Sequence, residues 1–133
     1  MQITNNSAHH LFISDAVGLA SIFPLLKQTL AVSAGAHVSL LYSSAQGDFH
    51  FKKELVILQS RYATQLFVYY ISGSDTEPGV DLQKEIEAAI NANTKPCMEF
   101  TISGNKFFTG RVEVILRFLG IQNYRLQEQY FKE

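Results

Sequence analysis

The sequence predicts an α/β fold: a five-stranded parallel sheet with helices on both faces, in a three-layer doubly wound arrangement. Five short runs rich in β-branched and aromatic residues alternate along the chain with four runs whose apolar residues recur at helical spacing. Such alternation is typical of parallel sheets built from right-handed crossovers. Because no internal repeat and no long linker interrupts the pattern, we expect one domain over residues 1–133.

The first strand and helix occupy residues 10–30. Residues 10–14 (HLFIS) predict a strand. The helix that follows has an apolar face formed by Leu19, Ile22, Phe23, Leu26 and Leu30. Pro24 falls inside this run, and we expect it in or just after the first helical turn, where a missing N–H costs little.

The pattern then repeats. Residues 37–43 and 66–71 predict the second and third strands. The helix between them has an apolar face formed by Phe51, Leu55, Leu58 and Tyr62. Residues 72–80 (SGSDTEPGV) predict a loop, and Asp81 is a suitable N-cap for a third helix. That helix carries Leu82, Ile86, Ala89 and Ile90.

The last third of the chain predicts one more helix between two strands. Residues 98–102 predict the fourth strand, and residues 124–131 predict the fifth. The intervening helix is lined by Val112, Ile115, Leu116 and Leu119, and Gly120 is a natural stop. Phe107 and Phe108 open this helix, where we expect core or interface residues.

Composition excludes several classes of function. The chain carries 11 Lys and Arg against 12 Asp and Glu, a net charge of −1, which argues against binding to nucleic acid or to anionic membranes. No apolar run approaches the roughly 20 residues of a membrane span, and the N-terminus does not resemble a secretory signal. The single cysteine, Cys97, excludes an intrachain disulfide and a thiolate zinc cluster. We expect no metal and a cytoplasmic location.

Two turns are candidates for ligand binding. Open parallel sheets bind ligands outside the carboxyl ends of their strands, where the strand order reverses. The turns that follow the first and fourth predicted strands, residues 14–18 and 103–106, are the ones we expect to meet there.

Each turn has a functional and a structural interpretation. A helix N-terminus suits a phosphate, but Asp15 places a carboxylate there, and simple capping by Asp15 is favoured. In the second turn, Gly104 permits close approach and Ser103, Asn105 and Lys106 offer polar groups. An ordinary strand-to-helix turn explains the same residues and is favoured on the residues alone.

The order of segments resembles the pyridine-nucleotide-binding domain of the ferredoxin reductase-type flavoprotein family. In that family a strand precedes Gly-Gly-Thr-Gly-Ile-x-Pro, the second strand leads to a Tyr-Gly-x-Arg-like turn and a helix, and a later strand precedes Cys-Gly-Pro-Pro. The corresponding stretches are HLFISDAVGLAS (10–21), VSLLYSS (38–44), FHFKKEL (49–55), FTISGNKF (100–107), LGI (119–121) and QEQYF (127–131).

The resemblance implies strand order 3-2-1-4-5 and NAD(P)H bound at the carboxyl edge of the sheet. It implies cofactor contacts from the two turns and from the end of the second strand: Asp15, Ala16, Val17, Gly18, Ser43, Ser44, Gly104, Asn105 and Lys106. Gly18 and Gly104 would let the backbone approach the ligand. Ser103 stands where the family has its cysteine and would lie beside the nicotinamide. Hydride would pass to a flavin on a partner protein.

Departures from the family motifs leave two functions open. Of the three glycines in the first motif only Gly18 remains, Asp15 would repel a pyrophosphate, and Ala45 stands where an arginine often holds the adenosine ribose. We therefore expect weakened or lost dinucleotide affinity. The chain leaves no room for the family's flavin domain, so we expect it to bind no flavin alone and not to be a complete enzyme. The first candidate is a stand-alone nucleotide-binding oxidoreductase module; the second is a non-catalytic scaffold or interaction module. A separate small-molecule or acyl-carrier binding domain of similar layering is less favoured than either.

Overall fold

The computed structural model describes residues 8–32, 35–44, 47–72 and 78–127, without the side chains of residues 78–81. Strands and helices alternate throughout these residues. In chain order they are β1 (Ala8–Ser14), α1 (Ala16–Val32), β2 (His37–Ser44), α2 (Lys52–Arg61), β3 (Leu66–Ser72), α3 (Pro78–Asn91), β4 (Cys97–Ser103), α4 (Lys106–Phe118) and β5 (Arg125–Leu126).

The strands form one sheet in the order β3-β2-β1-β4-β5, with every neighbouring pair parallel. This confirms both the predicted fold class and the predicted strand order. From β1 the chain builds outwards to β2 and β3, then returns to the other side of β1 for β4 and β5. The strand order therefore reverses between β1 and β4, whose carboxyl ends lie side by side, with Ser14 opposite Ser103.

The sheet is covered on both faces because successive side chains of its central strand point to opposite sides. Leu11 and Ile13 of β1 pack with the apolar faces of α3 and α4. Phe12, between them in sequence, packs with the apolar faces of α1 and α2. A strand buried on both sides must be apolar at almost every position, which is why residues 10–14 show no alternation.

The position predicted for Pro24 is wrong. Pro24 lies in the middle of α1 rather than in its first turn, because the helix begins at Ala16, directly after β1. The proline is exposed, whereas Ile22 and Leu26 are buried on the opposite face. Burial of that face sustains the helix across a residue that would interrupt it in isolation.

Two further boundaries differ from the predictions. The third helix begins at Pro78, three residues before the predicted cap Asp81, because proline is well accommodated in a first helical turn. In the predicted loop over residues 72–80, residues 73–77 lie outside the described residues. The fifth strand is short: it comprises Arg125–Leu126, Gln127 donates its N–H to the Ile102 carbonyl (2.9 Å), and residues 128–131 lie outside the described residues.

Within the described ranges, no helix has both the length and the apolar character needed to cross a membrane.

Candidate functional site at the carboxyl edge of the sheet

One carboxylate joins the two candidate turns. Oδ1 of Asp15 accepts the N–H of Gly18 (2.7 Å), which caps α1, and Oδ2 accepts the N–H of Asn105 (3.1 Å), at the entrance to α4. The predicted meeting of the first and fourth turns is therefore confirmed, as is capping by Asp15. The carboxylate occupies the position at the start of a helix where an anionic ligand would otherwise accept these N–H groups.

Asn105 continues this arrangement into α4. Its side-chain Oδ1 accepts the N–H of Phe108 (2.8 Å), so Asn105 is the N-cap of α4 while its own N–H is held by Asp15. The starts of α1 and α4 are thus fixed relative to each other by three hydrogen bonds that use side chains of Asp15 and Asn105.

Gly18 and Gly104 let the two turns approach closely. A Cβ on Gly18 would lie 2.0 Å from the carbonyl oxygen of Ser103, so α1 packs directly against the end of β4. A Cβ on Gly104 would lie 2.7 Å from a ring carbon of Phe108 and 2.8 Å from Oδ1 of Asp15. Packing alone requires both glycines, and a ligand contact at either position stays a prediction.

A pocket of about 400 Å³ opens beside this junction. The turn after β1 contributes Asp15, Ala16 and Val17, and the end of β2 contributes Ser43 and Ser44. The structure thus brings together six of the predicted site residues, these five and Asn105. The rest of the lining comes from the segment before α2 and from the first turns of α4: Asp48, His50, Phe107, Phe108 and Arg111.

Four predicted site residues do not line the pocket: Gly18, Ser103, Gly104 and Lys106. Ser103 is fully buried, and its hydroxyl donates to the carbonyl of Gln127 (3.1 Å). Because its hydroxyl is buried and already hydrogen-bonded, its role beside a nicotinamide stays a prediction. Lys106 is exposed at the first position of α4.

Two charged residues of the pocket were not found by sequence reasoning. Arg111 lies one helical turn beyond Phe107, and its guanidinium carbon is 5.8 Å from the centre of that ring. Helical spacing from the start of α4 is a signal that could have identified it. Asp48 follows β2, and its N–H donates to Oγ of Ser44 (3.0 Å), which ties it to the strand end.

An aromatic cluster supports the segment that carries Asp48 and His50. The Phe49 ring packs against Tyr42 of β2 and Tyr70 of β3, with centroid distances of 5.1 and 5.0 Å. Burial raises the pKa of the Tyr42 hydroxyl, the backbone of His50 acts in the opposite direction, and the charge of Asp15 raises it further. Tyr42 therefore stays protonated and uncharged, and its ring packs against Phe49.

Three of the four histidines, His9, His10 and His37, lie at the opposite, amino edge of the sheet, whereas His50 lines the pocket. Nε2 of His9 hydrogen-bonds Oγ of Ser39 (2.7 Å), and its Nδ1 hydrogen-bonds Oδ1 of Asn93 (3.2 Å). Nδ1 of His10 lies 3.7 Å from the carboxylate of Glu99. Burial lowers the pKa of both rings. Across the residues with described side chains, no group of three or more His, Cys, Asp or Glu is arranged to hold a metal ion.

Comparisons with known proteins show the fold. No protein-family model and no curated protein sequence matches the chain. Ferredoxin-NADP+ reductase from Plasmodium falciparum is similar in structure, with a TM-score of 0.68 and 19% identity over 93% of this chain and 53% of the reductase. The C-terminal domain of a hydrogenase from Pyrococcus furiosus has a TM-score of 0.65 and 12% identity, and 96% of each chain is covered.

The chain spans about half the length of the reductase. A point mutant of this reductase, in complex with 2'P-AMP, has a TM-score of 0.65 and 17% identity over 91% of this chain. The predicted resemblance is confirmed at the level of fold: the chain has the architecture of a ferredoxin reductase-like NAD(P)-binding domain.

Proposed function

We infer that the chain is a pyridine-nucleotide-binding module of ferredoxin reductase type, which holds NAD(P)H in the carboxyl-edge pocket. One observation carries the proposal: the turns after β1, β2 and β4 enclose a single pocket of about 400 Å³ where the strand order reverses. This is where open α/β sheets bind ligands. The fold shared with ferredoxin-NADP+ reductase supports the same assignment.

Different residues of the pocket bind different parts of the nucleotide. Ser43 and Ser44 lie at the adenosine end, and the Arg111 guanidinium supplies a positive charge for the phosphates. Asp48, fixed beside Ser44, accepts hydrogen bonds from ribose hydroxyls and repels a 2'-phosphate, so NADH is the preferred form.

The redox step needs a flavin, which in this proposal is bound by a partner protein. Hydride leaves the reduced nicotinamide, which becomes oxidised, and reduces a flavin that the partner carries. The chain contributes binding and orientation, since the cofactors carry out the hydride chemistry. With this function we propose a flavin-containing redox partner and a cytoplasmic location.

Asp15 favours a second candidate function. The N–H groups of Gly18 and Asn105 are already bonded to its carboxylate, so a pyrophosphate loses these donors and faces a negative charge. Each loss is worth on the order of one or a few kcal/mol, and about 1.4 kcal/mol is a tenfold change in affinity. The alternative is a non-catalytic module that keeps the fold as a scaffold or for interaction with other proteins.

Calorimetric titration of the chain with NADH and NADPH separates the two functions. If the chain is a nucleotide-binding module, the titration should show binding of NADH and weaker binding of NADPH. Asp15→Gly should bind NADH more tightly than wild type does, and it should still fold because glycine is an acceptable N-cap. Glu54→Gln, which removes an exposed carboxylate of α2 outside this pocket, is the matched control and leaves the affinity unchanged. If neither folded wild type nor folded Asp15→Gly gives heat with either nucleotide, the nucleotide-binding function is wrong and the scaffold function is favoured.

A further inference from the structure

The outer face of α4 carries a row of exposed apolar side chains. Phe107, Val114 and Phe118 are 76%, 60% and 74% exposed. With Arg111 they occupy positions i, i+4, i+7 and i+11, which lie within about 60° of one another around a helix. We call these four residues the α4 stripe. Its two phenylalanines are about 16 Å apart along the helix axis.

Folding does not account for the α4 stripe. The opposite face of the helix already anchors it in the core through Phe108, Val112, Ile115 and Leu116, all of which are buried. Among the described residues, nothing buries Phe107, Val114 or Phe118. Single exposed apolar residues are ordinary, but a row of them on one surface marks a protein-interaction site.

The charges along α4 determine which partner fits. Lys106 and Arg117 are exposed beside the α4 stripe, and Arg111 lies within it. The one acidic residue of the helix, Glu113, accepts a hydrogen bond from the hydroxyl of Tyr124 (2.7 Å) and is outnumbered by the three cations. The border is therefore basic although the whole chain has a net charge of −1. A complementary surface is apolar at its centre and acidic at its border.

Pairing with a second copy of the chain does not match this pattern. A two-fold axis that packs two copies of α4 antiparallel, stripe against stripe, places the same flank of each helix side by side. Lys106 and Arg117 share one flank at helical spacing, so cations of one copy meet cations of the other. A partner of opposite charge avoids this repulsion.

We propose that the α4 stripe docks an acidic amphipathic helix of a partner protein, with apolar residues against Phe107, Val114 and Phe118 and Asp or Glu facing Lys106 and Arg117. This goes beyond the proposed function and does not depend on nucleotide binding. The end of the stripe at Phe118 lies outside the pocket lining, so it can be changed without altering the nucleotide site.

The test uses the full chain and two synthetic helical peptides that share one leucine stripe. One peptide has glutamates along both borders of the stripe, and the other has lysines. Fluorescence anisotropy of the labelled peptides is expected to show binding of the glutamate peptide only, weakening as salt is added. Phe118→Ser should weaken it by about tenfold or more. Val56→Ser, at a 52% exposed position of α2, is the matched control and should change nothing.

A charge reversal makes the result decisive. Arg117→Glu is expected to weaken the binding of the glutamate peptide and to strengthen the binding of the lysine peptide. Equal binding of the two peptides, or binding that Phe118→Ser leaves unchanged, would overturn the proposal. So would light scattering that finds a wild-type dimer and a monomeric Phe118→Ser variant, since a second copy would then occupy the surface. Both positions are exposed, so unchanged melting temperatures verify that the variants fold.

Discussion

At each of the two edges of the sheet, one side chain hydrogen-bonds two separate segments of the chain. At the carboxyl edge, Asp15 hydrogen-bonds two turns, through Gly18 and Asn105. At the amino edge, His9 hydrogen-bonds Ser39 of β2 and Asn93, which precedes β4. Asp15 is half-buried beside an open pocket, whereas His9 is buried and burial lowers its pKa. One side chain joins two segments in both places, but the carboxyl-edge junction also borders the pocket of about 400 Å³.

The largest effect is expected from filling the contact at Gly18. In Gly18→Ala the new Cβ would lie 2.0 Å from the Ser103 carbonyl, so α1 must move away from β4. We expect a loss of about 3 kcal/mol in the free energy of unfolding, measured by urea denaturation. Gly110→Ala is the matched control: a Cβ there meets nothing within 4 Å, and stability should rise by about 0.5–1 kcal/mol. Equal stability of the two variants would show that the turns are not in close contact.

Removing the amino-edge connection should have the next largest effect. His9→Leu leaves Ser39 and Asn93 without the ring nitrogens that they contact, and we expect a loss of about 1–3 kcal/mol in unfolding free energy. Nucleotide titration should be unaffected, since His9 is remote from the pocket lining. A variant that unfolds like wild type but no longer binds nucleotide would reverse the roles assigned to the two edges.

Acidification should act mainly on the amino edge. Burial lowers the pKa of His9, His10 and His37, while Glu99 opposes this at His10 and Lys95 adds to it at His37. The unfolded chain then binds more protons than the folded one, so unfolding free energy falls as pH decreases through about 6.5. His9→Leu should have a shallower dependence on pH between about 7 and 5 than wild type. An unchanged dependence of unfolding free energy on pH would show that His9 does not contribute to it.

The smallest effect on stability is expected from Asp15, the side chain that joins the two carboxyl-edge turns. Asp15→Asn keeps one acceptor for Gly18, but its amide group cannot serve both N–H donors as two carboxylate oxygens do. Urea denaturation should show a loss of about 1 kcal/mol. Asp48→Asn, whose side chain lines the same pocket without joining two turns, should be close to neutral. A larger loss at Asp48 would mean that Asp15 does not hold the junction together.

The sequence predicted the fold well because strand and helix patterns are local. The prolines show where local reasoning fails: Pro24 continues a helix whose opposite face is buried, and Pro78 begins one earlier than Asp81 suggested. The parallel topology was enough to predict that residues 14–18 and 103–106 meet. It did not reveal that Asp48 and Arg111 line the pocket, because the position of Asp48 depends on the path of the loop after β2 and that of Arg111 on its spacing of one helical turn from Phe107. Nor did it reveal the hydrogen bond from Ser103 to the carbonyl of Gln127, 24 residues later in the chain.

We assign nucleotide binding to the carboxyl edge of the sheet and not to the amino edge. The direct measurement is a titration of the isotopically labelled chain with NADH, followed by the chemical shifts of its backbone amides. The largest changes are predicted at Ser43, Ser44 and Asp48, with His9 and Ser39 unchanged. Changes centred on His9 and Ser39, or no changes anywhere at saturating NADH, would contradict the account.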